Sequence, residues 1–200
     1  SADTPSGTSR CGLSLLPAGR EPADEGWKQL LKQLEFTRPT VIVFGYGMAS
    51  SLEGGIEGVA AFTQDYQRLI DATQRIHPGL RCVFLSPLGR LSESHEKTQA
   101  HASSLVAYTK AVLHLADSNN GVFVDLSHVA INDGLRKDPI HLNDAGYREA
   151  AIEIGKTLGF DDRWIHNPHT EALRSRILKK NVWWFHRSRP ANMAYVFGFR

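Results

Sequence analysis

Arg38-Pro39-Thr40-Val41-Ile42-Val43-Phe44-Gly45-Tyr46-Gly47 joins a turn signal, a short β-branched run and two glycines. Four apolar residues with no polar alternation suit a strand buried on both faces, as in a parallel sheet. The glycines open that strand into a loop at its carboxyl end. Upstream, residues 27–34 read as a short helix. Downstream, a polar loop runs to Gly58 and an amphipathic helix follows over Val59–Ile76, with Val59, Phe62, Tyr66, Leu69 and Ile70 on one face. His77-Pro78-Gly79 ends it. Residues 82–85 form the second predicted strand, residues 96–117 a long helix and residues 122–126 the third strand. Helices and strands alternate with no hairpin signal, which predicts an α/β domain with a parallel sheet. Ligands of such sheets bind outside the carboxyl ends of the strands. Residues 45–51, 86–89 and 127–141 leave those ends and are expected to converge on one rim.

The last of these loops carries Asp138-Pro139-Ile140-His141-Leu142-Asn143-Asp144-Ala145-Gly146-Tyr147. Pro139 fixes its own φ and removes a donor, so the helix is expected to start after it. Asn143 is a good N-cap for the periodic run over residues 145–158. His141 then stands just ahead of a helix N-terminus, whose positive end disfavours imidazolium and suits a general base. Asp138, three residues earlier, can reach the other ring nitrogen and fix its tautomer. Asp-x-x-His alone carries little, because composition produces such pairs by chance; the longer string carries more.

That string, Asp-Pro-x-His-Leu-Asn-x-x-Gly-Tyr, resembles the last signature block of the SGNH (GDSL-type) hydrolases. The resemblance implies a three-layer α/β/α, flavodoxin-like domain of strand order 2-1-3-4-5, with a nucleophilic serine after the first strand. It implies Asp138 and His141 as catalytic residues, an acyl ester on a small molecule or carbohydrate as substrate, and neither cofactor nor metal. The stretch from Arg38 to Gly47 resembles the third block, where a strand ends in Gly-x-Asn-Asp and the Asn donates to the oxyanion. Here Gly47, or Ala49 in the alternative alignment, stands in its place, and neither has a side-chain donor. Gly45 and Gly47 remain oxyanion or pocket candidates through backbone N–H groups.

Ser1-Ala2-Asp3-Thr4 resembles the tail of the second block, and neither Gly-Asp-Ser nor Gly-x-Ser-x-Gly occurs in the sequence. The resemblance therefore implies a nucleophile upstream of this chain and a fragment lacking the first strand. Residues 41–44 would then be an apolar sheet edge, prone to aggregation. Residues 1–160 are read as the partial hydrolase domain and residues 161–200 as an aromatic, basic extension packing on it. The tail Phe185-His186-Arg187-x-Arg189-Pro190-x-Asn192 is similar to SGNH modules of large, exported, multidomain bacterial proteins, which makes an exported location the expectation. The missing Asn motivates an alternative, a catalytically inactive SGNH-like binding module.

At 200 residues, 42% hydrophobic and with a formal charge of +2, the chain has material for one core and too little charge to imply a polyanion partner. No stretch is long and apolar enough to span a bilayer. Cys82 reads as a small buried side chain, Cys11 as a loop residue, and neither belongs to a Cys-x-x-Cys pattern. His166-Asn167-Pro168-His169 reads as a loop, because Pro168 breaks a helical metal pair. Arg174, Arg176, Lys179, Lys180, Arg187 and Arg189 flank Trp183, Trp184 and Phe185, yet read as a solvated helix face with aromatics turned to the domain, so no nucleic acid partner is expected. Asp125 and His128 repeat the Asp-x-x-His spacing, and Asp125 reads as a strand-end cap. Ser50, Ser51 and Ser86 fall on the rim without a nucleophile motif, while Glu93, Ser94 and His95 are candidates to shape the pocket.

Overall fold

Strand β1 (Val41–Phe44) forms where Val-Ile-Val-Phe offers stiff, branched side chains that fit a pleated surface. It pairs in parallel with β2 (Arg81–Leu85), Phe44 lying beside Phe84, and β2 pairs in parallel with β3 (Val122–Val124), Phe84 lying beside Phe123. The structure is a computed structural model that describes residues 25–89, 95–130, 132–165 and 167–188. Among them the sheet has the order β1-β2-β3. The expectations placed on residues 1–24, Cys11 included, on Glu93 and Ser94, on His166 and on residues 189–200 lie outside this set.

Helix α1 (Glu25–Thr37) precedes β1; α2 (Met48–Gly54) and α3 (Val59–Ile76) lead from β1 to β2; α4 (His95–Ser118) leads into β3. After β3 come the short α5 (Ser127–Ala130), a 3-10 turn at Asp133–Leu135 and α6 (Asp144–Thr157). Strand side chains alternate between faces, so Phe44, Cys82 and Phe84 look one way and Val83 and Val124 the other. The first face packs on Tyr66, Leu69 and Ile70 of α3 and on Val112, Leu115 and Ala116 of α4. The second packs on Leu126, Val129, Leu142 and Ala150, which brings α6 over the sheet. Helices therefore cover both faces, as a parallel sheet requires. Phe84, Ile70 and Val112 are fully buried, each contributing on the order of 2 kcal/mol of transfer free energy.

Three differences from the sequence expectation have local causes. The stretch expected as a polar loop before Gly58 contains α2, a helix of 7 residues between glycines. The third strand stops at Val124 because Ser86 takes over its end: the Ser86 N–H donates to the Val124 carbonyl (2.9 Å), and its Oγ accepts from the Leu126 N–H (2.7 Å). The last helix, α7 (Pro168–Ser188), takes in Pro168 and His169, which the sequence reads as loop, because proline is tolerated in the first turn of a helix.

The chain divides into two units, Ser1–Leu158 and Gly159–Arg200. Within the second, Asn167 begins α7 by accepting from the His169 N–H (2.9 Å), with Pro168 at the first helical position, where a missing donor costs nothing. The Lys179 ammonium lies 5.4 Å from the centre of the Trp183 ring, a cation–π contact. No helix among the described residues is long and apolar enough to cross a membrane.

Candidate active site

Beyond β3 the chain is held by short polar side chains binding their own backbone. Asp125 Oδ1 accepts from the Ser127 N–H (2.8 Å), so the rival Asp-x-x-His carboxylate is engaged as the start of α5. Asn132 Oδ1 accepts from Gly134 N–H (3.0 Å) in the same way. Residues 136–142 then fold back on themselves. Arg136 and Leu142 form an antiparallel bridge, the Lys137 N–H donates to the His141 carbonyl (2.9 Å), and Arg136 Nη1 donates to the Ile140 carbonyl (3.1 Å).

Asp138 sits in this fold-back and gathers three donors. Its Oδ1 accepts from the Ile140 and His141 N–H groups, both at 2.8 Å. The imidazole Nδ1 of His141 lies 2.8 Å from Oδ2 and 3.0 Å from Oδ1. The His141 and Ile140 backbone donors, followed by the His141 ring, hold the Asp138 carboxyl well below its ordinary range, at about 2. The group is ionised at neutral pH and can only accept hydrogen bonds, so Nδ1 must carry the proton. The neutral ring then has its lone pair on Nε2. The side chains of His141 and Asp138 are 64% and 41% exposed, so the ring is open to solvent.

Asn143 and Gly146 fix where this pair stands. The Asn143 side chain accepts from the Gly146 N–H (2.9 Å) as N-cap of α6 and donates to the carbonyls of Gly134 (2.8 Å) and Arg136 (3.3 Å). The Asn143 N–H also donates to the Leu135 carbonyl (2.9 Å). A Cβ at Gly146 would run into the Leu135 carbonyl oxygen and stand 3.0 Å from Leu142 Cβ, so the loop lies against the helix only because residue 146 has no side chain. Leu142, next to His141, is buried with Leu126 and Val129, and Leu88 and Leu135 pack against the same cluster. These contacts tie the His141 loop to the carboxyl ends of β2 and β3.

Gly45 and Gly47 lie at the carboxyl end of β1, the same end of the parallel sheet. Gly47 has φ +126°, and a Cβ there would stand 3.0 Å from Pro87 Cβ and 3.6 Å from Phe62 Cζ. The position that aligns with the expected Asn is therefore closed to a side chain by both backbone and packing. Gly45 meets only an ordinary contact, Leu85 Cδ1 at 3.8 Å.

Two of the rim serines are engaged elsewhere, while the third, Ser50, buries its hydroxyl without a hydrogen-bond partner among the described residues. Ser86 Oγ binds the Leu126 N–H, as described. Ser51 is 2% exposed; its hydroxyl donates to the Met48 carbonyl (2.8 Å) and its oxygen lies 3.0 Å from His101 Nε2. Since the hydroxyl proton goes to Met48, the ring must be the donor in that pair, so His101 does not act as a base on Ser51. No sequence motif points to His101 or to Tyr108, whose hydroxyl donates to the Ser50 carbonyl (3.0 Å). The available signal was the run Gly54-Gly55 and Gly58, whose purpose is spatial: a Cβ at Gly54 or Gly58 would stand 2.9 or 2.6 Å from the Tyr108 hydroxyl.

The family model described as GDSL-like Lipase/Acylhydrolase matches residues 11–149. No curated protein matches the chain. Among solved structures, a protein described as a GDSL-like lipase from Parabacteroides merdae is similar at TM-score 0.55 and 17% identity, covering 67% of this chain and 68% of its own. A variant of an acetyl-xylooligosaccharide esterase from Geobacillus stearothermophilus gives TM-score 0.51 at 15% identity, covering 66% of this chain and 68% of that one. A carbohydrate esterase family 3 protein from Talaromyces cellulolyticus gives TM-score 0.52 at 19% identity, covering 68% and 64%. At these identities the likeness is one of fold.

Proposed function

The chain belongs to the GDSL-like lipase/acylhydrolase family, and on that premise we propose that it supplies the general base and its orienting carboxylate to an ester hydrolase. The observation that carries this reading is the Asp138–His141 pair, with Nδ1 held at 2.8 Å by an ionised carboxylate and the Nε2 lone pair left to accept a proton. His141 takes the proton of a serine hydroxyl as that oxygen attacks the ester carbonyl, and returns it to the departing alkoxide. A water then repeats the cycle on the acyl-serine. Asp138 stays ionised throughout and stabilises the imidazolium.

The nucleophile lies upstream of these 200 residues, and the chain by itself has no ester turnover. Its sequence has no Gly-Asp-Ser, and Ser51 and Ser86 are hydrogen-bonded into the scaffold. Backbone N–H groups of Gly45 and Gly47 take the oxyanion role that Asn fills elsewhere in the family, Gly47 being unable to bear that side chain. The substrate is an acyl ester, small or carried on carbohydrate. That choice rests on fold neighbours described as an acetyl-xylooligosaccharide esterase and a carbohydrate esterase.

The test is to trap the intermediate. Whole protein containing this chain, quenched during hydrolysis of an acetylated xylooligosaccharide, is expected to carry one acetyl group on a serine outside residues 1–200. A well-folded protein that binds the oligosaccharide but neither acylates nor releases acetate is instead the inactive binding module that the missing Asn first suggested.

A further inference from the structure

Helix α2 is too short to hold its own position, since 7 residues make barely two turns and nothing caps its first N–H groups through a side chain. It nevertheless directly continues the turn at residues 45–47. What fixes it comes from α4. His101 and Tyr108 are 7 residues apart on that helix and so fall on one face. His101 Nε2 lies 3.0 Å from Ser51 Oγ, and the Tyr108 hydroxyl donates to the Ser50 carbonyl at 3.0 Å. Two neighbouring residues of α2 are thus gripped by two turns of α4. Tyr108 is 1% exposed, and Gly54 and Gly58 leave room for its hydroxyl, so the contact is built into both partners. On the far side, Gly47 closes against Pro87.

We propose that His101 and Tyr108 are positioning residues for the hydrolytic reaction: through Ser51 and Ser50 they lock α2, and with it the turn at residues 45–47, at the catalytic rim. This rests on the hydrolase reading and on the oxyanion role given to that turn. Neither residue reaches the reacting atoms; Tyr108 acts through the Ser50 carbonyl, and His101 through the Ser51 hydroxyl, which itself donates to the Met48 carbonyl. Misplacement of a catalytic backbone by a fraction of an ångström is enough to slow a reaction while leaving substrate binding largely intact.

The experiment combines amide exchange and kinetics in the whole protein, using Tyr108→Phe, His101→Ala, Ser51→Ala and His101→Gln. Tyr108→Phe keeps the ring and removes only the hydroxyl, so it preserves the core. In Tyr108→Phe and His101→Ala, exchange over residues 47–54 is expected to quicken about fivefold, with residues 81–85 and 122–124 unchanged, the size expected for one lost hydrogen bond. Turnover of an ester should fall about tenfold in kcat with KM within about twofold. His101→Ala and Ser51→Ala should not add in the double variant, and His101→Gln, which keeps an N–H donor, should recover most of the rate. Unchanged exchange at α2, or a rise in KM with kcat intact, overturns the proposal. A wild type with no turnover overturns the hydrolase reading and the catalytic half of this one, while the exchange data still decide whether the clamp exists.

Discussion

At Asp138 one carboxylate serves three N–H groups, which makes it both a structural fastener and the partner of the His141 ring. Its folded-state value of about 2 lies below the ordinary 3.8, so it contributes stability at pH above that ordinary value and loses the contribution as pH falls through about 2. Asp138→Asn removes this titration. We expect the wild-type unfolding midpoint to drop more steeply than the variant's between about pH 4 and pH 2 in urea titrations; parallel curves would contradict the assignment. This pair was legible in the sequence because its geometry is local, with three residues and a proline setting it. Ser51 with His101 was not, since 50 residues and the packing of two helices separate them. No periodicity reports such a contact.

At the level of elements, the loop that carries His141 is only as steady as the start of α6. Asn143 was readable as an N-cap, but its second task, donating to two carbonyls of the preceding loop, depends on how that loop folds back. Asn143→Ala should cost about 1–2 kcal/mol, seen as a Tm lowered by about 2–8 °C. Gly146→Ala should cost about 1–3 kcal/mol by forcing the Leu135 carbonyl away. If Gly146→Ala melts like wild type, the close approach that seats His141 is wrong. Element boundaries were readable where apolar period and breakers agreed, as over Val59–Ile76, which falls as expected. They were not readable where a single side chain decides, as Ser86 does at the end of β3.

At the scale of the whole molecule, the sheet is unevenly covered. α6 shields β3 and β2 on one face, whereas Val41 and Val43 of β1 on that face are 40% and 55% exposed, and β1 pairs only with β2 among the described residues. An apolar strand so placed is an invitation to self-association. Val43→Lys should lower concentration-dependent light scattering of the 200-residue chain while leaving its Tm within about 1 °C, the usual effect of a surface change. Scattering unaffected by the lysine would place the sticky surface elsewhere. The parallel architecture itself followed from the alternation of apolar runs and amphipathic helices, a pattern that survives without knowledge of any one contact. The proposed reaction turns on His141. The most direct measurement is p-nitrophenyl acetate hydrolysis by the whole protein and by its His141→Ala variant, with the variant's fold checked by circular dichroism. A drop in kcat of about a hundred- to ten-thousandfold is the predicted result; turnover that survives His141→Ala unchanged would contradict the account.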